Sequence, residues 1–385
     1  MIPNGHQEIS DADVEAVVAV LRSDFLTRGP VVPRLEQAVA QYTGAVHGVA
    51  VCNATAALHL ACLALELGPG DRLWTSAISF AASANCARYC GADVDFIDID
   101  ALTFNIDTAQ LRSRLEAAQR RNALPKVIVT VHMAGQPPEQ ETIWQVAREF
   151  GVRVIEDAAH AIGATRHGER VGSCRWSDIT VFSFHPSKLI TTGEGGMCIT
   201  NDASLAARMR LLRNHGITRD HASHTRESPA DSSYQEQIAL GFNYWLTDLQ
   251  AALGVTQLQR LDDFVARRNA AALLYVSALA GLPVDSQVVV AGSCSAYHLY
   301  IVRLQDPQLD NLDVISRLRA RDVIATLHYP ALHLHRYYRE LGFSEGMFPE
   351  AERYARSALS LPMFAAIDAA SIDTVAEALR DVLAS

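Results

Sequence analysis

Of the 33 basic residues in this chain of 385, only two are lysine, Lys126 and Lys188. A lysine amine can lose its proton and attack a carbonyl carbon, whereas a guanidinium stays protonated and cannot. The chain therefore holds two candidate nucleophilic side-chain amines. Lys126 directly precedes the apolar run Val127 to Val131, where a solvated strand-edge charge belongs. Lys188 ends Ser183-Phe184-His185-Pro186-Ser187-Lys188 and is soon followed by Thr191-Thr192-Gly193-Glu194-Gly195-Gly196. Glycine-rich backbone lets a ligand come close. On its own segment, Lys188 reads either as a solvated loop charge or as an amine held against a ligand.

Two further places carry chemistry. Asp157 ends the strand-like run Val152-Arg153-Val154-Ile155-Glu156 and precedes Ala158-Ala159-His160. A carboxylate at the carboxyl end of a parallel strand sits where α/β sheets bind ligands, and the same residue type also caps helices. Asn53-Ala54-Thr55-Ala56-Ala57 is a junction of small residues between a strand and a helix. Its N–H groups and the Thr55 hydroxyl suit a phosphate, or Asn53 or Thr55 is a plain cap. Neither GxGxxG nor GxxxxGK[ST] occurs, so dinucleotide and P-loop readings lack their fingerprint.

The elements that must position these residues alternate. Periodicity predicts helices over Asp11–Arg22, with Ser10 as N-cap, and from Pro33 to about Tyr42. Strands follow at Gly48–Cys52, Arg72–Thr75, Val94–Ile97, Val127–His132, Val152–Glu156, Ile179–Phe184 and Gly196–Thr200. Helices at Thr55–Leu67 and Ala81–Tyr89 separate the first of them. Such alternation with apolar strands implies an α/β fold around a mainly parallel sheet covered by helices. Polar residues from Arg219 to Gln237 predict a long loop, and Thr247–Leu279 is helical throughout. Around Gly281-Leu282-Pro283 the chain changes character, and strands are expected at Tyr297–Leu304 and Val323–Leu327. The division expected is a large domain over residues 1–260, including the N-terminal segment, and a smaller C-terminal α+β domain over 261–385.

Composition narrows the function classes. A net charge of −10 leaves no footprint for nucleic acid or a polybasic membrane anchor. No apolar run reaches the roughly 18 residues of a membrane span. The opening Met-Ile-Pro-Asn-Gly-His lacks the pattern of a signal peptide, so a cytoplasmic protein is expected. Seven cysteines without CxxC read as reduced, mostly buried apolar side chains, and their neighbourhood offers too few further ligands for zinc; no metal is expected.

A phosphate cradle, a carboxylate and a Schiff-base lysine, in this order, are the parts that hold pyridoxal phosphate. The chain resembles the sugar-nucleotide aminotransferases of the DegT/DnrJ/EryC1/StrS family. The likeness runs through Leu26-Thr27-Arg28-Gly29-Pro30, Asn53 to His59, Ile78-Ser79-Phe80, Glu156 to His160, the Lys188 segment, Arg213-Asn214-His215-Gly216, Gly241-Phe242-Asn243-Tyr244 and Ser360-Leu361-Pro362. It implies the type I pyridoxal-phosphate transferase fold, aspartate aminotransferase-like. It further implies that Lys188 carries pyridoxal 5'-phosphate and shuttles the proton, and that Asp157 pairs with the ring nitrogen. Phe80 would stack on the ring, Ala54, Thr55 and Ser183 would bind the phosphate, and His160 would lie near the phenolic oxygen. Asn243 would come from the neighbouring subunit of a homodimer.

Within the family the Lys188 segment is most similar to the branch acting in pseudaminic acid synthesis. That branch transfers an amino group from L-glutamate to C4 of a UDP-linked 4-keto-6-deoxy-N-acetylhexosamine. By this likeness Asp24, Phe25, Leu26 and Thr27, with the segment His328-Tyr329-Pro330-Ala331-Leu332-His333, would contact substrate. His328 and His333 equally suit surface or satisfied core histidines. The chain departs from the family at Trp245, where Arg is usual, and at Asn4-Gly5-His6, where Tyr-Gly-Arg is frequent. Arginines would hold the nucleotide diphosphate. A dehydratase on the same fold would carry His in place of Lys188. A non-catalytic regulator would have eroded Lys188, Asp157 or the cradle.

Overall fold

The computed structural model describes residues 1–225 and 233–384. Strands β1 (His47–Val51), β2 (Arg72–Ser76), β3 (Asp93–Ile97), β4 (Val127–Val131), β5 (Arg153–Asp157), β6 (Ile179–Ser183) and β7 (Gly196–Thr200) form one sheet. Their order is β1-β7-β6-β5-β4-β2-β3. β7 runs antiparallel to both its neighbours, β1 and β6; β2 to β6 pair in parallel. The β-branched run Val127 to Val131 is buried at every position, as a strand covered on both faces requires. In register, Val131 faces Asp157 and Asp157 faces Val181. The carboxyl ends of β4, β5 and β6 therefore share one rim.

Helix α1 (Asp11–Leu21) begins at the expected cap, with Ser10 and Asp13 forming a capping box. Helix α2 (Val31–Thr43) follows, and helix α3 (Ala54–Ala64) leaves β1 through Asn53, whose side chain accepts from the Ala56 N–H at 2.8 Å. The helix expected to reach Leu67 stops early, because Glu66 takes a left-handed φ of 60°. Helix α4 (Ala82–Tyr89) matches its expectation within one residue. The stretch Thr247–Leu279 is two helices, Asp248–Gln259 and Leu261–Ala278. Arg260 sits at the junction, ion-paired with Glu8 and 3.4 Å from Asp13 of α1. The first turns of the second helix pack Leu261, Phe264 and Val265 against the large core. Its later turns pack Ala272, Tyr275 and Leu279 against a second core.

That second core underlies an antiparallel sheet of Val284–Ser286, Tyr300–Leu304 and Ala358–Leu361. Helices Asn311–Arg319 and Ala369–Leu383 pack on the same core. The strand expected over Val323–Leu327 does not form. Val323 bridges to Ile2 and Thr326 to Ser360, so the segment is divided between two partners and builds no ladder. Of the polar loop Arg219–Gln237, residues 226–232 lie outside the described residues. Ile217 and Thr218 pair with Gln237 and Glu236. No helix among the described residues is long and apolar enough to cross a membrane.

Candidate active site

A cavity of about 510 Å³ opens at the rim shared by β4, β5 and β6. Lys188 and Asp157 both line it, as do Ala54, Thr55, Ser183 and His160. Residues 184–192 form a tight loop that turns Lys188 inward. The Lys188 N–H donates to the His185 carbonyl at 2.8 Å, and the Thr192 N–H returns to the Phe184 carbonyl at 3.0 Å. Lys188 is half-buried and faces the cavity, with its Nζ 3.3 Å from His298 Nε2, and does not stand as a solvated loop charge. Desolvation pushes its amine down to about 8, against a partial upward pull from Asp157. Near neutrality such an amine gives up its proton far more readily than an exposed lysine. Lys126 is the strand-edge charge, 2.9 Å from Asp71 and partly exposed.

Asp157 is the last residue of β5 and is buried. No helix follows it, so its helix-cap reading falls. Its Oδ2 accepts from the Ser83 hydroxyl at 2.5 Å and its Oδ1 from the Ala159 N–H at 3.2 Å. Burial pushes the carboxyl upward while these donors oppose the shift. Beneath it, Glu156 turns to the other face of the sheet and lies 2.9 Å from His132.

At the far end of the cavity α3 presents its N-terminus. Asn53 caps Ala56, and the Ala54 and Thr55 N–H groups have no acceptor among the described residues. The Thr55 hydroxyl and Ser183 hydroxyl line the same wall. Among the glycines after Lys188, Gly196 has a packing role. A Cβ on Gly196 would lie 2.6 Å from the Asn53 carbonyl carbon and 2.7 Å from the Ala54 nitrogen. Gly196 thus lets β7 pack against the backbone of the α3 cap.

His160 is buried beside the cavity, and burial followed by the Lys188 charge holds its imidazole neutral. Its Nε2 lies 3.2 Å from the Tyr329 hydroxyl, and its Nδ1 has no partner among the described residues. Phe80 stands at the mouth, 57% exposed, with its ring centroid 5.9 Å from that of Tyr329. His328 also lines the cavity, with Nδ1 2.9 Å from the Ser360 hydroxyl, and burial pushes it down to about 4. His333 does not line the cavity: it is a core histidine with Nε2 3.0 Å from Glu352 and Nδ1 without a partner among the described residues.

Asp24, Phe25, Leu26, Thr27 and Asn243 are exposed and do not line this chain's own cavity. Asn243 bridges to Asn214. Beside them Trp245 donates to Asn214 Oδ1 at 3.1 Å, with the guanidinium groups of Arg213 and Arg28 4.2 and 5.2 Å from its ring centroid. Asn4, another departure, ties the N-terminal segment to Ser360 through a 3.1 Å hydrogen bond.

Sequence reasoning missed Ser83 and His298. Ser83 is the second residue of α4, and the Ser79 hydroxyl lies 2.6 Å from its own. His298 Nε2 lies 3.3 Å from Lys188 Nζ. The apolar flank Leu299 to Val302 hid His298 inside an ordinary strand pattern.

The donor set fits pyridoxal phosphate: anion-binding N–H groups and hydroxyls at one end, a buried carboxylate, and an amine of lowered basicity. Fold and site together define a pyridoxal-phosphate-dependent enzyme of the aspartate aminotransferase-like class. The sequence matches the DegT/DnrJ/EryC1/StrS aminotransferase family over residues 7–380, and the chain belongs to that family. It is similar to the spore coat polysaccharide biosynthesis protein SpsC of Bacillus subtilis, with 37% identity over 97% of this chain and 95% of the relative. Among solved structures it resembles Helicobacter pylori PseC, an aminotransferase involved in pseudaminic acid biosynthesis. That likeness has a TM-score of 0.90 at 27% identity, covering 100% of this chain and 99% of PseC. The PMP form of Spr1654 from Streptococcus pneumoniae, assigned as a sugar aminotransferase, gives a TM-score of 0.90 at 28% identity with the same coverage. The chain is a pyridoxal-phosphate-dependent aminotransferase.

Proposed function

We propose that this aminotransferase moves the amino group of L-glutamate to C4 of a UDP-linked 4-keto-6-deoxy-N-acetylhexosamine. Its 4-amino sugar serves nonulosonate (pseudaminic acid) synthesis for a surface glycan or flagellin. It works in the cytoplasm as a homodimer, by two half-reactions at one site. The observation that carries this reading is that half-buried Lys188 and buried Asp157 line one cavity with the α3 N-terminus. The sugar class is supported by the names of the similar proteins, SpsC and PseC.

The bound cofactor supplies an electron sink that lets the donor's Cα–H bond ionise. Lys188 would hold the cofactor and, once its Nζ is free, would carry the proton released from the donor's Cα across to the far side of the intervening nitrogen. Asp157, aimed by Ser83 and the Ala159 N–H, would keep the ring nitrogen protonated. Ala54, Thr55 and Ser183 would bind the phosphate, Phe80 would cover the ring, and His160 would lie near its phenolic oxygen. His328 and Tyr329 meet the sugar. Asn243 and Asp24 to Thr27, exposed on one chain, reach the partner's site. The large domain would span 1–260 and the small one 261–385.

The test is turnover with glutamate of a panel of UDP- and dTDP-linked 4-ketosugars, with mass and NMR analysis of products. A 4-amino UDP-sugar is expected. Turnover of dTDP-sugars alone, or amination at C3, overturns the substrate reading and leaves the aminotransferase chemistry standing.

A further inference from the structure

His298 is buried and makes one side-chain hydrogen bond, to Lys188 Nζ at 3.3 Å; its Nδ1 has no partner among the described residues. A histidine retained for packing alone would leave both ring nitrogens unused or bonded within the core. Its backbone is fixed from three sides. Arg268 donates to the carbonyls of Tyr297 and His298 at 3.1 and 3.3 Å. The Leu299 N–H donates to the Ala134 carbonyl at 3.2 Å. A Cβ on Gly135 would lie 3.0 Å from the nitrogens of Tyr297 and His298 and 2.9 Å from the His160 carbonyl oxygen. The His160 ring lies against the His298 ring with centroids 4.4 Å apart.

We propose that His298 is the positioning residue for Lys188: its Nε2 accepts a hydrogen bond from the Lys188 ammonium and holds that side chain in the cavity whenever it is not bonded to the cofactor. This rests on the reading of Lys188 as the cofactor-bearing lysine. A lysine ammonium is donor-only, so the ring nitrogen facing it is the acceptor and the ring proton sits on Nδ1. The imidazole stays neutral because burial and the nearby charges of Lys188 and Arg268 oppose its protonation. The groups facing Lys188 are Asp157 from β5, His160 from the segment after it, His328 and His298. Of the carboxylates lining the cavity, Asp157 and Glu194, Asp157 is the one whose charge acts on Lys188. Without an acceptor on the other side, a released ammonium on a flexible stem is drawn to Asp157, which is needed at the ring nitrogen. His298 supplies that acceptor without adding a second negative charge.

The scarcity of lysine makes the test direct. In cofactor-free protein, reductive methylation with formaldehyde and cyanoborohydride is followed peptide by peptide from about pH 6 to about pH 10, with Lys126 as internal reference. In wild type the Lys188 profile turns at about 8. In His298→Leu its midpoint falls by about one unit, because an acceptor that favoured the charged form is gone. In His298→Gln the amide oxygen still accepts and the midpoint stays at the wild-type value. His298→Met carries the same prediction as His298→Leu if the latter does not fold. In the loaded enzyme His298→Leu lowers kcat about tenfold, leaves KM for glutamate unchanged, and is rescued by His298→Gln. An unmoved midpoint in both apolar variants, or a Gln variant that shifts as far as they do, overturns the proposal. Failure of borohydride to fix the cofactor on wild-type Lys188 would instead overturn the role of that lysine.

Discussion

The Ser83 hydroxyl donates to Asp157 Oδ2 at 2.5 Å, joining the first turn of α4 to the carboxyl end of β5. With the Ala159 N–H on Oδ1, both carboxylate oxygens are held and the group is aimed into the cavity. Burial alone would favour the protonated acid; the two donors favour the anion that a ring nitrogen requires.

Ser83→Ala removes the larger of these opposing effects, so the Asp157 carboxyl rises further and is protonated at higher pH. The acid limb of the kcat/KM profile is expected to move up by about one unit. Activity near neutrality changes less than activity at the acid end. Stopped assays across the acid range decide it, and an unmoved limb would falsify the role given to Ser83.

Lys188→Met abolishes transamination, with a loss of at least about 10³-fold, and borohydride then fixes no cofactor. The same variant is expected to be more stable than wild type when cofactor-free. The folded-state value of about 8 lies below the ordinary 10.5. The charged form is therefore penalised by folding below about 8, and the penalty fades as pH rises from there through 10.5. At neutral pH it is on the order of 3 kcal/mol, so the variant's melting temperature is higher by several degrees. Near pH 10 most of that difference disappears. Scanning calorimetry that found equal melting at both pH values would reject the burial argument.

Gly196→Ala places a methyl group against Asn53 and Ala54 backbone. Either β7 or the α3 cap must shift, at a cost of about 1–3 kcal/mol. Cofactor affinity is expected to weaken at least about tenfold, since the N–H groups of Ala54 and Thr55 move with the cap. Absorbance titration of apoprotein measures this directly, and wild-type affinity would show that the cradle tolerates displacement.

Asn243 tests the shared site. Asn243→Ala and Lys188→Met homodimers are each expected to be nearly inactive. Unfolded together and refolded at equal amounts, half the dimers are mixed, each with one site holding both native residues. About a quarter of wild-type activity should return. No recovery, with mixed dimers verified by mass, would place Asn243 outside its partner's site.

Local pattern carried much of this molecule. The Ser10 cap, the β/α alternation and all seven large-sheet strands read to within one residue from short-range periodicity and propensity. Misreadings fell where a distant partner intervened: Val323–Leu327 is shared between Ile2 and Ser360, and Arg260 divides a helical run while bound to Glu8. His333 and His328 lie five residues apart, yet one satisfies Glu352 in the core and the other lines the cavity.

The amine, the carboxylate and the capped helix start were legible because each announces itself within a few residues. Their chain order, β1 before β5 before the lysine loop, was enough to suggest one cofactor. The partners of those groups were not legible. Ser83 is 74 residues from Asp157 and His298 is 110 residues from Lys188. Such pairs exist only because the sheet order and the return of the chain from the second core bring separate segments to one rim. The sequence thus determined which groups could react; the tertiary structure decided their burial, and with it how readily Lys188 gives up a proton.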